Sequence, residues 1–302
     1  MEGHKNYEPK VAIILLNWNG INDTVPCIKS LLAMTYTNYK IFVSDNNSTN
    51  DEAVKIKDMF PSVRVIASKE NFGFAEGNNV AIRTAQREYN PNYFWILNND
   101  TEVEPKSLQE LVQYADTNSI VGSTIYYWQS QKIYCLAGGK INSWTGIDTL
   151  YGARKIIKEI QPPKKLDYIS GCSMLIPQNI FEHIGLFDNK YFLYNEESDL
   201  CVRATQVGFK QVYAPSSIVY HKFAQSSGHL SYTYVYYFLR NKLLFMKKHT
   251  PWYKKFSYIF SYSVYYVGGS FLLSLLRGNY KAIGAIQKGI ADALHNKYGK
   301  ML

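Results

Sequence analysis

Through the first hundred residues the apolar positions come in short unbroken runs, and polar groups close each run. Val11 to Leu16 (VAIILL) has strand length and ends at NWNG, a turn signal. Asp23 to Ala33 then carries Val25, Ile28, Leu31 and Leu32 at helical spacing. Lys40 to Val43 reads as a second strand, Asp51 to Met59 as a helix, Val63 to Ala67 as a third strand and Gly77 to Tyr89 as a helix. Tyr93 to Leu97 (YFWIL) is a fourth strand, and Pro105 to Tyr114 a helix with proline suited to its first turn. This βαβαβαβ order predicts an α/β fold, a mainly parallel central sheet with helices on both faces.

Beyond residue 120 the periodicity changes. Residues 120–165 read as short strands and hairpins, with an exposed, mostly basic loop from Arg154. Tyr168 to Ile176 alternates like one strand, with Gly171 and Cys172 as small residues inside it. Ile180 to Ile184 suggests a short helical turn. Residues 192–207 (FLYNEESDLCVRATQV) lead into a helix whose apolar side uses Leu200, Ala204 and Val207. Val212 to Val219 is strand-like but broken by Pro215, with His221 and a QSSGH loop after it. Phe256 to Leu276 contains no charged residue and has the length of a membrane-spanning helix. Its Tyr, Ser and paired Gly residues lower its hydrophobicity. A buried hairpin or dimer contact, an interfacial helix pair and a spanning helix all remain open for it.

Composition sharpens this picture at a few points. The 302 residues carry a formal net charge of +9 and include 26 tyrosines. The basic residues concentrate in RNKLLFMKKHTPWYKK, Arg240 to Lys255, beside the uncharged tail. That placement suits an anionic membrane surface better than a nucleic-acid-binding face. Cys27, Cys135, Cys172 and Cys201 are far apart, with no CxxC, and are expected to be reduced and mostly buried. MEGHKNYEPK has no apolar core of a signal peptide, so a reducing, nucleotide-rich compartment is expected. No GxGxxG follows the first strand and no Walker A lysine motif occurs, which argues against dinucleotide and P-loop chemistry.

The candidate chemistry lies at the strand ends. Asn17, Asp45, the stretch 68–71, and Asn98 with Asp100 all follow strands, where loops of a parallel sheet converge on ligands. One such cluster is ordinary turn chemistry. Four in register point to a binding crevice. Glu196, Glu197 and Asp199 crowd the first turn of a helix; acids there stabilise a helix, but crowding also raises a carboxyl pKa toward the range of a general base. Arg203, four residues after Asp199, is placed to pair with it and is counted with the donor-side candidates. A nucleotide sugar fits these parts: a pocket for base and ribose, Asn98 and Asp100 near a Mg²⁺ or Mn²⁺ ion, and a carboxylate base beyond.

The ordered set VAIILLNWNG, VSDNNSTND, NFGFAEGNN, FWILNNDTEVEP, GCSMLIP, GLFDNKYFLYNEESDLCVRATQVGF and YHK resembles the inverting glycosyltransferase family 2. The likeness is greatest to rhamnosyltransferase-like members that build bacterial surface polysaccharides, with YYFLRNKLLF a further echo. It implies a GT-A fold over residues 1–238, with a nucleotide-binding half (10–120) and an acceptor-side half (121–238), and a C-terminal helical extension (239–302). It also implies that Asn17 and Asn19 stand in the first nucleotide loop, that Asp45 contacts the nucleobase, and that Asn71, Gly73, Phe74 and Asn78 form the next binding stretch. Asn98-Asn99-Asp100 matches the family's DxD motif with Asn at the first position, leaving Asp100 as main metal ligand and His221 as the downstream one. Glu196-Glu197 matches the ED motif with Glu at its second position. Glu197 is therefore the expected base, with Asp199 its rival.

The implied activity is metal-dependent, inverting transfer of a sugar, dTDP-rhamnose being the first donor considered, to a saccharide acceptor that is lipid-linked if the enzyme works at a membrane. The expected location is cytoplasmic, peripheral at the inner face of the cell membrane, with a homodimer as another role for the tail. A UDP-hexose transferase of the same fold and an inactive binding scaffold are the alternatives.

Overall fold

The structure is a computed structural model that describes residues 8–159, 161–222 and 230–301. Most of the MEGHKNYEPK stretch and the QSSGH loop lie outside the described residues. In chain order the elements are β1 (Val11–Asn17), α1 (Ile21–Leu32), β2 (Tyr39–Asp45), α2 (Glu52–Met59), β3 (Arg64–Ala67), α3 (Gly73–Glu88), β4 (Tyr93–Asn98), β5 (Thr101–Val103) and α4 (Ser107–Gln113). There follow β6 (Ser119–Tyr127), β7 (Ile133–Leu136), β8 (Gly138–Ile141), β9 (Asp148–Leu150), β10 (Tyr168–Ile169), β11 (Ser173–Pro177), α5 (Gln178–Ile184), α6 (Glu196–Gln206) and β12 (Lys210–His221). The C-terminal helices are α7 (Tyr232–His249), α8 (Lys255–Ser261), α9 (Gly269–Leu276) and α10 (Tyr280–Leu294).

The large sheet has the order β3-β2-β1-β4-β11-β6-β12-β5, with β7 on β6. The first four strands run parallel, as their alternation with helices predicts. Strand β11 is antiparallel to both β4 and β6, so the sheet is mixed in its second half. Residues of β1 alternate between two cores. Val11, Ile13 and Leu15 pack with Ile28, Leu31 and Trp95 on one face; Ala12 and Ile14 pack with Ile82, Phe94 and Ile96 on the other. Burial on both faces is why the runs are unbroken. The Trp95 indole donates to Ser173 Oγ (3.0 Å), whose hydroxyl is linked to Ser123 and on to Ser217, so the buried polar atoms are satisfied.

Two expected elements take a different form. The run Tyr168 to Ile176 is two strands: β10 joins a small antiparallel sheet with β8 and β9, and β11 joins the large one. The break is a turn at Ser170–Cys172, closed by Ser173 N donating to Ser170 O (3.1 Å). Pro215 does not end β12. The strand continues through a register shift between Ala214 and Ile218, and the bulge removes the ladder position where proline lacks a donor.

Helix α7 runs through the expected boundary at residues 238–239. Its Arg240, Asn241 and Lys242 are buried rather than facing solvent or lipid. Tyrosines fill the space between α7 and the following helices: Tyr236, Tyr258, Tyr262 and Tyr266 share one apolar cluster with Ala282, Ala285 and Ile286 of α10.

Candidate active site

The loops after β1 and β2 are locked by side-chain amides. Buried Asn17 donates from Nδ2 to Asp45 Oδ1 (2.8 Å) and Glu52 Oε2 (2.9 Å), and its Oδ1 accepts from the Thr24 hydroxyl (2.7 Å). Asp45 Oδ2 accepts from the Ser48 backbone N–H (3.0 Å). Asn19, at φ 50°, gives its N–H to Ser48 Oγ and accepts from the Thr49 N–H (2.7 Å). Asn46 then crosses to the loop before α3. Its Nδ2 donates to Asn71 Oδ1 (2.9 Å) and Gly73 O (3.0 Å), and its Oδ1 accepts from Phe72 N. Asn78 caps its own turn by donating to Phe74 O (2.9 Å).

Gly73 sits at φ 76°, where a Cβ would also lie 2.2 Å from Phe192 O. That carbonyl instead accepts from Phe74 N (2.7 Å), tying the α3 loop to the chain that leads into α6.

At the end of β4 the chain turns within three residues, with Thr101 Oγ1 donating to Asn98 O (2.7 Å). Asn99 points back to Thr24 (2.8 Å). Asp100 Oδ1 lies 3.1 Å from His221 Nε2, and Asn98 Nδ2 is 3.5 Å from the same nitrogen. The turn after β4 and the last residue of β12 thus bring Asn98, Asp100 and His221 together. A carboxylate, an imidazole and an amide fit a Mn²⁺-type ion or, through oxygen, Mg²⁺. Among the described residues no group of three or more His, Cys, Asp and Glu side chains forms a self-contained cage. The pair Asp100–His221 would leave the other coordination positions to groups outside the protein.

Glu196 and Glu197 open α6 directly after Tyr194 and Asn195, both at φ 71°. Glu196 Oε2 and Glu197 Oε2 are sealed from solvent and have no hydrogen-bond partner among the described residues. Burial pushes the Glu197 carboxyl up to about 7, with Asp148 adding to the rise and helix N-terminal N–H groups and Lys242 opposing it. Burial and the neighbouring Glu197 raise Glu196 well above the usual carboxylate range.

Asp199 is the opposite case. Burial alone would raise its carboxyl, but the hydrogen bond with His249 and the charges of Arg203 and Lys248 hold it well below the usual range. His249 Nε2 and Lys248 Nζ meet Asp199 Oδ1 at 2.8 and 2.5 Å, and Arg203 Nε meets Oδ2 at 2.7 Å. Arg203 also donates to Ile184 O and Leu186 O (2.6 and 2.9 Å). Both residues hold the α5–α6 region together.

The pieces meet at the Ser170–Cys172 turn. Asn98 N donates to Cys172 O (3.0 Å). A Cβ on Gly171 would sit 3.5 Å from Glu197 Cβ and 3.6 Å from Phe74 Cζ. Gly171 therefore faces both the acid-bearing helix and the Phe74 ring of α3 across about the width of a methyl group, beside the end of β4.

Several residues that position this site escaped the sequence reading. Glu52 braces Asn17 and the Gly20 N–H (3.0 Å), but in the sequence it is only an acid in a helical first turn. Asn79 exchanges two hydrogen bonds with the backbone of Phe187. Asn241 donates to Leu193 O (2.7 Å) and Tyr194 O (2.9 Å), bracing the loop before Glu196. Arg240 reaches Lys190 O and Gly299 O, and Lys242 pairs with Asp148. The available signal was the polar triplet Arg240-Asn241-Lys242 within an otherwise apolar helical pattern.

Residues 12–185, more than half of the chain, match the family described as Glycosyl transferase family 2. A low-salt glycan biosynthesis hexosyltransferase, Agl10, of Haloferax volcanii is 28% identical over 64% of this chain, which spans 61% of that relative's length. An N-acetylglucosaminyl-diphospho-decaprenol L-rhamnosyltransferase of Mycobacterium tuberculosis is 23% identical over 75% of this chain and 81% of its own. Among solved structures, a Pyrobaculum calidifontis mannosyltransferase in complex with GDP-Man and Mn²⁺ superposes with a TM-score of 0.59 at 12% identity, covering 97% of this chain and 89% of its own. That likeness is one of fold.

Proposed function

Because the chain belongs to glycosyl transferase family 2, we propose that it transfers a sugar from a nucleotide-sugar donor to a saccharide acceptor in surface polysaccharide synthesis, with inversion at the anomeric carbon. The observation that carries this reading is the meeting of three parts at Gly171 and Cys172: the α3 loop, the Asn98–Asp100 turn, and Glu197 with its raised carboxyl.

In this reading Asn17, Asn19 and Asp45 frame the nucleoside pocket, and the Asn71–Asn78 stretch closes it. Asn98 and Asn99 stand at the diphosphate side. Asp100 and His221 would hold a Mn²⁺ or Mg²⁺ ion, which supplies neutralisation of charge on the departing diphosphate. Glu197 takes the proton from the acceptor hydroxyl as oxygen bonds to the anomeric carbon and the nucleoside diphosphate leaves. Asp199 is held as an anion by Arg203, Lys248 and a hydrogen bond from His249, so it is the weaker proton acceptor and serves as a brace. Glu196, whose carboxyl is also raised by burial and by its neighbour, adds to the rise of the acid pair.

The rhamnosyltransferase among the relatives favours rhamnose as the transferred sugar and a lipid-linked saccharide as acceptor, with dTDP-rhamnose the first donor to test. The hexosyltransferase favours a hexose, with a UDP-hexose the second donor to test. A thermal-shift and turnover screen of nucleotide sugars, with Mn²⁺ and after chelation, tests the reading. Selective stabilisation and metal-dependent turnover with dTDP-rhamnose are expected, and Asp100→Ala should abolish both gains while remaining folded. Full activity after chelation would remove the metal role. No response to any nucleoside diphosphate or its sugar would favour an inactive scaffold.

A further inference from the structure

We propose that the outer face of the α8–α9 helix is a docking surface for an anionic phospholipid bilayer, and that the helix lies flat on the bilayer instead of crossing it. The apolar stretch Trp252–Leu276 is 25 residues long, roughly 37 Å at helical rise, enough to span a hydrocarbon core. One side of it, however, is committed to the protein. The hydroxyls of Tyr258 and Tyr262 donate to Lys242 O and Leu239 O (both 3.2 Å), and that of Tyr266 donates to Asp148 Oδ1 (2.8 Å). The Tyr258 ring lies so close to Gly146 that a Cβ there would be 2.1 Å from it. A π-helical turn, Tyr262–Gly268, links α8 to α9 with this tyrosine row kept inward.

The opposite side is exposed and apolar. Phe256 is 83% exposed, Phe260 63%, Leu272 57% and Leu276 74%. An apolar face of this extent is unusual on a monomer left in water. Charge selects the occupant. Between Asp199 and Asp292 the sequence has no Asp or Glu. Lys254 and Lys255 stand at one end of the face, Arg277 and Lys281 at the other. Trp252 (83% exposed) and Tyr253, with Trp144 packed against Tyr253 at 6.2 Å, add amphipathic rings at the first end. Basic ends, interfacial aromatics and an apolar stripe are the features that hold a helix in the plane of a bilayer surface. A flat helix also keeps α7, and with it the Asn241-braced loop before Glu197, at a fixed height above the lipid.

Flotation of the full chain with phosphatidylcholine vesicles, with and without phosphatidylglycerol, at low and high salt, tests this. Binding at least tenfold stronger to the phosphatidylglycerol vesicles, weakened by salt and reversed by alkaline carbonate, is expected. The triple variant Phe256→Glu, Phe260→Glu, Leu272→Glu should lose at least tenfold in binding while its far-UV circular dichroism and melting temperature stay at wild-type values. Absence of flotation at low salt, or equal flotation of the variant, would overturn the proposal. Retention after carbonate would overturn the flat geometry. A wild-type dimer that the triple variant turns into a monomer, with neither floating, would assign the face to a second copy. None of these outcomes depends on sugar transfer.

Discussion

Glu197 and Asp199 stand two residues apart in one helical turn, yet their surroundings drive their carboxyls in opposite directions. Asp199 meets Arg203, Lys248 and His249; the Oε2 of Glu197 meets no donor. The folded Glu197 carboxyl at about 7 lies above an unfolded glutamate near ~4.3, so the folded state binds more protons between those values. Its contribution to stability is full below the unfolded value and is lost as pH rises through about 7. With Glu197 as the proposed base, activity has the reverse dependence, since the base must be ionised. kcat/KM should fall about tenfold per pH unit below about 7, while denaturant midpoints show stability declining from about pH 4.3 to about 7 and level above it. A rate profile flat from pH 5 to 8 would remove Glu197 from the proton transfer. The motifs made Glu197 and Asp199 legible as rivals, but the choice between them depends on Lys248 and His249, some fifty residues away in sequence and visible only after folding.

At the scale of elements, β1, β2 and β4 were legible because their central residues are buried on both faces and the apolar runs have no polar interruption. Strand β10 was merged with β11 because a two-residue strand has no period of its own. In the sequence the region of α7 reads only as part of a helical extension from residue 239, with the basic run from Arg240 suited to a membrane surface. The physical reason is that Arg240, Asn241 and Lys242 find partners in backbone carbonyls and Asp148, which no local pattern reveals. Removing one such partner should act on the site from a distance. Asn241→Ala leaves the carbonyls of Leu193 and Tyr194 without this donor, a cost of about 1–3 kcal/mol if they stay dry. It should lower kcat by up to about 100-fold through misplacement of Glu197, with donor affinity unchanged. Stopped-flow turnover and isothermal titration with donor distinguish this from general unfolding. Equal losses in kcat and donor affinity would mean that the loop does not act through the base.

Across the whole molecule, the donor side is held by amide and hydroxyl bonds between loops of parallel strands, and the acid side is held by the C-terminal helices. The two sides are joined by Phe74 N donating to Phe192 O and face each other at Gly171. The C-terminal region is therefore part of the site's scaffold as well as the bearer of the exposed apolar face. The account stands or falls on the division of labour between the two acids. The most direct measurement compares Glu197→Gln with Asp199→Asn for nucleoside diphosphate release in the presence of donor and acceptor, with donor binding measured in parallel. Glu197→Gln should bind donor as wild type does and lose about 10²–10⁴-fold in turnover. Asp199→Asn should lose about 1–3 kcal/mol of stability, because the buried carboxylate that joins Arg203, Lys248 and His249 is removed, yet retain turnover at temperatures where it is folded. Wild-type turnover by Glu197→Gln, with loss confined to a folded Asp199→Asn, would contradict the account.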